Sequence, residues 1–441
     1  MHDSPAAQSS APAQTSPPAQ SSIRWWTGLA TVAVMAAGMA YALWWPTAVR
    51  HHGGYWLIPG DIWATVRDAH FVGWGGLSYV YGANTGLVTL PGFSVVLAPF
   101  AMLSSALGLS ESSPFIGLAK PDSWFVYGPV ILATTGLALA AMDALARHLG
   151  ATRARRLVLV GLGSLAMWSA TAIWGHPEDL VALALAAYAV TRAAQGRTTA
   201  AGWLLGAAIA MQLYVVLLVP VLMGVVGRRR LAALVARASV LPAFLLVAVL
   251  APNFRQSMRA LWNQPNFPSV DHATPWVLVA PKIGPHVVAA GPGRIVAVVV
   301  AVALGFVAAR HRHDGRTVVW LAAAALAGRC LFEAVMVPYY VMPMVVLALV
   351  VAATYGMPRL LVTGAIGIGL TVVVFGHFSM WPYWSAMAGL TVAMLGVSRP
   401  WRAVAPDVAD SAGPERLGDL AGGVLDRGLQ LLHAADGGRG D

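Results

Sequence analysis

The sequence predicts an all-α polytopic membrane protein, on three observations. Of its 441 residues 58% are hydrophobic and only 10% charged. Apolar runs near the length of a bilayer span recur along most of the chain, and arginines cluster between alternate runs. An average soluble domain carries about a quarter charged residues, and a soluble chain of this length needs far more polar surface to cover its core. A soluble multidomain enzyme is excluded. The net charge is +10 and only Lys120 and Lys282 are lysines. Arginines gathered in short inter-segment loops follow the positive-inside pattern rather than a nucleic-acid footprint. The single cysteine, Cys330, excludes an intramolecular disulfide and any cysteine-based metal cluster.

Residues 1–22 are rich in Ser, Pro, Ala and Gln without apolar periodicity and read as a disordered cytoplasmic tail, not a signal peptide. Residues 23–399 form the membrane region. Its apolar segments run near 25–45, 90–108, 124–146, 157–174, 178–194, 200–226, 231–252, 294–310, 317–337, 339–356, 359–376 and 382–398. Judged against the roughly 20 residues that span a bilayer, they predict a bundle of about 10–12 transmembrane helices. No tandem or inverted repeat is visible, which counts against a repeat-built transporter. Residues 400–441 read as a cytoplasmic tail, either loosely ordered or carrying an amphipathic helix through Leu417, Leu420, Val424, Leu425, Leu429 and Leu432.

Placing Arg228–Arg230, Arg310–Arg316, Arg359 and Arg399–Arg402 inside puts residues 253–292, Pro338–Tyr339 and Gly376–His377 outside, with both termini cytoplasmic. Two arrangements remain for the first half. If every segment crosses, Arg147–Arg156 lie outside and His176 inside. If 90–108 and 200–226 are broken or re-entrant, with Pro91 and Pro99 in one and Gly202, Gly206, Gln212 and Pro220 in the other, both assignments reverse. The second arrangement is preferred because it puts the arginines inside, and it requires protein or a wet cavity around the broken backbone.

The first external loop, 46–89, contains Pro59-Gly60-Asp61-Ile62-Trp63, Arg67-Asp68-Ala69-His70 and Gly75-Gly76-Leu77-Ser78-Tyr79-Val80-Tyr81. Aromatics here suit the membrane interface and also stack on sugar rings. Asp61, flanked by Ile58, Ile62 and Trp63, is the leading candidate for a general base at the bilayer surface. Asp68 is two helical turns on and reads as its partner or as a solvated residue. The competing reading of the loop is an interfacial amphipathic helix whose acids face water.

Gly175-His176-Pro177-Glu178-Asp179 places Pro in a first helical turn, where Glu178 and Asp179 complement the helix dipole. His176 is left to orient a phosphate or hydroxyl. Arg329 and Glu333, at i and i+4, predict an intrahelical ion pair, close to Tyr339. The second external loop, 253–292, carries Arg255, Arg259 and Lys282, which read either as grips for a lipid phosphate or as cations snorkelling to headgroups. A phosphate-binding P-loop, GxSxG, HExxH and DxD are all absent, so no metal or cofactor is expected. His311-Arg312-His313-Asp314 falls in an arginine-rich turn and reads as solvated.

One apolar helix, then an external loop with an early Asp61 and Gly75-x-x-x-Tyr79-x-Tyr81, then Leu90-Pro91-Gly92-Phe93 and Ala98-Pro99-Phe100, resembles the start of GT-C membrane glycosyltransferases. The resemblance extends to the actinobacterial family 87 mannosyltransferases, which use polyprenyl-phosphate mannose. Where that family has Gly-Gln-x-Asn this chain has Gly175-His176-Pro177-Glu178. Its glycine-rich helix is matched by Ala201-Gly202 through Gly206 to Met211-Gln212, with Gln212 near the usual lysine.

The resemblance implies a GT-C-like bundle and inverting transfer of a sugar, mannose or arabinofuranose. The donor would be a polyprenyl phosphate and the acceptor a cell-envelope glycolipid or glycan, at the outer face of the plasma membrane, without nucleic-acid partners. Asp61 would be the base. His176, Arg255, Arg259, Lys282 and His377 would contact the donor phosphate, with Asp68, Glu178, Asp179, Glu333 and Tyr339 supporting. The contrary expectation is a transporter or lipid-linked-sugar flippase using the same intramembrane charges.

Overall fold

The computed structural model describes residues 62–77, 80–81, 87, 89–109, 124–168, 170, 175–269, 271–311, 314–374 and 378–400, with Leu29 and Ala33. The expectations for the two tails, for Asp61 and for His377 lie outside these residues, as does nearly all of the first apolar segment.

Among the described residues every later apolar segment contains helix. The helices are α1 (Ile62–Gly75), α2 (Gly92–Ala106), α3 (Trp124–His148), α4 (Arg153–Trp168), α5 (Pro177–Ala194), α6 (Thr198–Met211), α7 (Val219–Val225), α8 (Arg228–Leu250), α9 (Phe254–Asn263), α10 (Gly293–Arg310), α11 (Gly315–Phe332), α12 (Met342–Ala353), α13 (Met357–Val373) and α14 (Met380–Ser398). Among the described residues, four helical stretches are long and apolar enough to cross a membrane: Val126–His148, Arg229–Leu250, Gly293–Arg310 and Gly315–Phe332. Shorter apolar helical stretches are Gly92–Ala106, Thr198–Met211, Leu213–Val225, Pro338–Ala353 and Met357–Val373.

All residues of α12 are buried, as expected of a helix that is apolar all round, and it forms the centre against which α3, α4, α11, α13 and α14 pack. By contrast α8 turns Val240, Phe244 and Val247 outward and α10 turns Ile295, Val299 and Phe306 outward. Apolar surface of that extent suits lipid contact.

The break expected in segment 200–226 is present. After α6 the backbone at Gln212 is extended (φ −146°, ψ 119°), and a 3₁₀ turn over Leu213–Leu218 leads into α7. The segment folds back on itself as a hairpin with its tip at Gln212–Tyr214. Glycines seat it. A Cβ on Gly206 would stand 2.7 Å from the Ala238 carbonyl oxygen of α8, and one on Gly224 would stand 2.6 Å from Ala308 of α10. Segment 90–108 is not broken: α2 runs through Pro99 and packs antiparallel on α1, with Gly73 against Met102 and His70 against Ser105.

The arginine-rich turns meet at one end of the bundle. Arg316 reaches the Leu149 carbonyl oxygen at 3.4 Å, both Arg316 and Arg359 lie over the Tyr355 ring, and Arg230 reaches the Gly196 carbonyl oxygen at 3.4 Å. Asp143 of α3 faces Arg156 of α4 at 3.4 Å. That separation is a charge contact rather than an aligned hydrogen bond. Arg147–Arg156 therefore share an end with Arg316 and Arg359, and His176 lies at the opposite end of α5. The ends are grouped as the second first-half arrangement expects, with the break present in 200–226 alone.

At the far end, α11 stops at Phe332, earlier than the apolar run to 337 predicts. The chain then pairs antiparallel as β4 (Val335–Met336) with β1 (His272–Ala273) of the long 253–292 connection. A second small ribbon joins β2 (Lys282–Gly284) to β3 (Val287–Val288).

Gly206→Val forces side-chain atoms against backbone that cannot move aside, and overpacking of this kind costs about 1–3 kcal/mol. The variant is expected to melt at lower temperature in detergent. Gly389→Ala, where an added Cβ meets nothing within 4 Å, is expected to melt no lower than the wild type.

Candidate functional site

The helix ends opposite the arginines surround a cavity of about 480 Å³. Its wall is assembled from α1, the start of α5, the Gln212–Tyr214 hairpin tip, residues 264–267, the start of α10, the end of α11 and the Tyr339–Tyr340 turn. Most of the polar groups there exist because helices stop at this level and leave their terminal backbone and flanking side chains facing one space.

The best-defined contact is an ion pair. Glu333 follows the last residue of α11 in extended conformation (φ −71°, ψ 140°). Its carboxylate accepts from Nε of Arg294 at 2.9 and 3.0 Å and from Nη2 at 2.8 Å. The Glu333 side chain is fully buried while that of Arg294 is 32% exposed, so the guanidinium keeps one edge open. Two features hold the pair. Thr274 donates its hydroxyl to the Glu333 carbonyl oxygen at 2.5 Å. Gly293 lets α10 approach so closely that an added Cβ would lie 1.9 Å from the Phe332 carbonyl oxygen.

This corrects the expected Arg329–Glu333 pair. The i, i+4 argument requires helix through both residues, and the helix ends between them. Arg329 instead stacks on Tyr340, 3.8 Å from the ring centroid, and on Tyr214 at 4.4 Å. Sandwiched between rings, a guanidinium keeps its charge by cation–π attraction while its donor edges stay available.

Across the cavity, Gly175 takes a positive φ of 70°, a conformation glycine adopts without strain, and turns the chain into α5. Nδ1 of His176 lies 2.7 Å from Oε1 of Glu178 and 3.7 Å from Oδ2 of Asp179, and its ring stacks on Tyr339 at 3.7 Å. The capping explanation for the two acids is only electrostatic, since α5 has no side-chain cap hydrogen bond.

Asp68 of α1 is 1% exposed, lines the cavity and, among the described residues, has no hydrogen-bond partner at either carboxylate oxygen. Burial pushes its carboxyl up to about 7, opposed by Arg67 and reinforced by Glu178. The neighbouring Tyr81 hydroxyl is raised by burial and then by Asp68, and it donates to the Thr89 carbonyl oxygen at 2.5 Å.

The chain matches no family model and no curated protein.

Of the residues singled out from sequence, Asp68, His176, Glu178, Asp179, Glu333 and Tyr339 are thus brought to one cavity. Arg255, Arg259 and Lys282 do not line it. Arg255 and Arg259 are exposed on α9 and Lys282 is exposed on β2. The reason is the seating of α9: Asn253 caps it, and the buried Ser257 hydroxyl donates to the Val249 carbonyl oxygen at 2.8 Å. That leaves Phe254 and Trp262 exposed as well, the mixture of arginine and aromatic that suits a headgroup layer. Arg294, Tyr214 and Tyr340 were missed. Arg294 carried a signal, being a lone arginine at the arginine-poor end of its segment. The two tyrosines carried none, because their rings matter only once Arg329 lies between them.

Glu333→Gln removes the charge from a buried pair and leaves Arg294 uncompensated. It is expected to lower stability by about 1–3 kcal/mol, read from thermal unfolding in detergent. Gly293→Ala, which keeps both charges but drives α10 from α11, is expected to lower it as well.

Proposed function

We propose that this chain is an integral membrane glycosyltransferase of GT-C type. It would move a sugar, mannose or arabinofuranose, from a polyprenyl phosphate to a cell-envelope glycolipid or glycan at the extracytoplasmic face of the plasma membrane. The observation that carries the reading is the composition of the cavity: the unpartnered Asp68 carboxylate on one wall, the open guanidinium edges of Arg294 and Arg329 on another, and tyrosine rings between them. A volume near 480 Å³ falls in the range of small-molecule sites.

In this reading a first-loop carboxylate takes the proton from the acceptor hydroxyl. That oxygen attacks the anomeric carbon, the bond from that carbon to the phosphate oxygen breaks, and the phosphate leaves with the electron pair on the opposite face. Direct displacement inverts the anomeric centre. Arg329 and Arg294 receive the phosphate charge, a task for which planar guanidinium forks are suited, and Tyr339 and Tyr340 offer faces on which a sugar ring can stack. Asp68 is the first-loop carboxylate at the cavity wall. Asp61, named by the family resemblance, is the other candidate for the base.

The second reading is a transporter of a lipid-linked sugar. It is favoured by the α6–α7 hairpin, since interrupted helices that meet at a polar cavity are a transporter device.

Membranes containing the protein, given polyprenyl phosphate carrying radiolabelled mannose or arabinofuranose, are expected to transfer label to an endogenous acceptor. Asp68→Asn is expected to reduce the rate by roughly a hundredfold or more, and the wild-type rate is expected to rise with pH through about 7 as the carboxyl ionises. A loss confined to Asp61→Asn would move the base to Asp61. If no lipid-phosphate sugar is consumed while a lipid-linked sugar crosses the bilayer, the transporter reading replaces this one.

A further inference from the structure

We propose that His176, Glu178 and Asp179 bind a divalent first-row metal ion, Mn²⁺ or Zn²⁺, at the cavity wall. One ligand atom from each residue lies within 4.8 Å of the other two. Nδ1 of His176 is 2.7 Å from Glu178 Oε1 and 3.7 Å from Asp179 Oδ2. Donors sharing an ion at about 2.1 Å stand roughly 3.0–3.4 Å apart in octahedral and tetrahedral spheres, so the observed separations bracket those of a coordination shell. One imidazole nitrogen with two carboxylate oxygens suits Mn²⁺ or Zn²⁺ better than the all-oxygen shells of Ca²⁺ and Mg²⁺.

Two independent observations point to a cation here rather than to an acidic helix start. Asp68, on a separate helix, turns a carboxylate with both oxygens unpartnered and 1% exposure to the same cavity. The described lining of the cavity is also rich in acid: it holds five carboxyl groups (Asp68, Glu178, Asp179, Asp271 and Glu333) against two guanidiniums, Arg294 and Arg329. One of those carboxylates is already consumed by Arg294. Oε2 of Glu178 has no partner either, so the cluster is not satisfied by its own hydrogen bonds.

The start of α5 carries the positive end of the helix dipole, which opposes a cation. Two full negative charges outweigh that partial one. Stacking on Tyr339 holds the imidazole plane, as an outer-shell contact does in known metal sites. None of this depends on the transfer reaction.

The test uses the purified full chain in detergent with the metal alone and no substrate. Electron paramagnetic resonance of free aquated Mn²⁺ is expected to show uptake of one ion per chain, with Zn²⁺ displacing it. Pulsed measurements on the bound ion are expected to show ¹⁴N coupling from a directly ligating imidazole. The Glu178→Gln, Asp179→Asn double variant is expected to weaken uptake at least tenfold, and His176→Asn to remove the nitrogen coupling. No uptake of either metal below millimolar concentration, or bound Mn²⁺ without nitrogen coupling, overturns the proposal. So does uptake unchanged in the double variant. The nitrogen coupling is read on the wild type and needs no variant to fold. Because no sugar donor is present, failure of metal binding and failure of the transferase reading are separate results.

Discussion

The Arg294–Glu333 ion pair ties the cavity end of the molecule together. It joins the first turn of α10 to the residue where α11 leaves off, and the Glu333 carbonyl oxygen is in turn held by Thr274 from the long 253–292 connection. The β1–β4 ribbon that follows keeps that connection against the bundle. A buried carboxylate without a partner carries a large desolvation penalty, so the pair fixes how α10 and α11 meet. The Phe332–Gly293 contact is the steric condition for it. Side chains larger than hydrogen at position 293 are incompatible with the distance at which the charges engage.

The same economy of charge explains why the polar residues collect where they do. The bundle centre around α12 is apolar throughout, and the opposite end is occupied by arginines bound to carbonyl oxygens and tyrosine rings. Helix ends on the remaining side supply the place where acids can sit near both backbone donors and guanidiniums. The acids outnumber the guanidiniums there, and that excess separates this cavity from a simple anion pocket. Whatever anion enters meets Arg329 between its two rings on one side and the acidic side chains of Asp68, Glu178 and Asp179 on the other.

Much of this arrangement is legible in the residues alone. Composition and arginine spacing predict an all-helical bundle with an arginine-rich end, and Gln212 and Pro220 mark the interrupted segment. His176, Glu178, Asp179, Glu333 and Tyr339 stand out as chemistry-bearing residues and do converge. What failed was pairing. Arg329–Glu333 follows from helical periodicity, yet Glu333 pairs with an arginine on another helix, Arg294. Periodicity describes neighbours along one helix and is silent about which helix lies alongside. Arg255 and Arg259 show the complementary limit: the sequence puts them in the right loop, but the direction they face is set by the buried Ser257 on the other side of α9.

The α6–α7 hairpin also bears on how the chain is assembled. A 14-residue helix is about 21 Å long at 1.5 Å per residue, short of the roughly 30 Å hydrocarbon thickness. It cannot stand alone in lipid with its C-terminal carbonyls unsatisfied. Its outgoing limb rests on α8, made soon after, but its returning limb packs through Gly224 on Ala308 and through Pro220 on Gly305 of α10. Those partners are synthesised only after the entire 253–292 connection. Until α10 is made the hairpin therefore lacks the packing surface of its returning limb, which makes the order in which the helices are made part of what shapes the cavity.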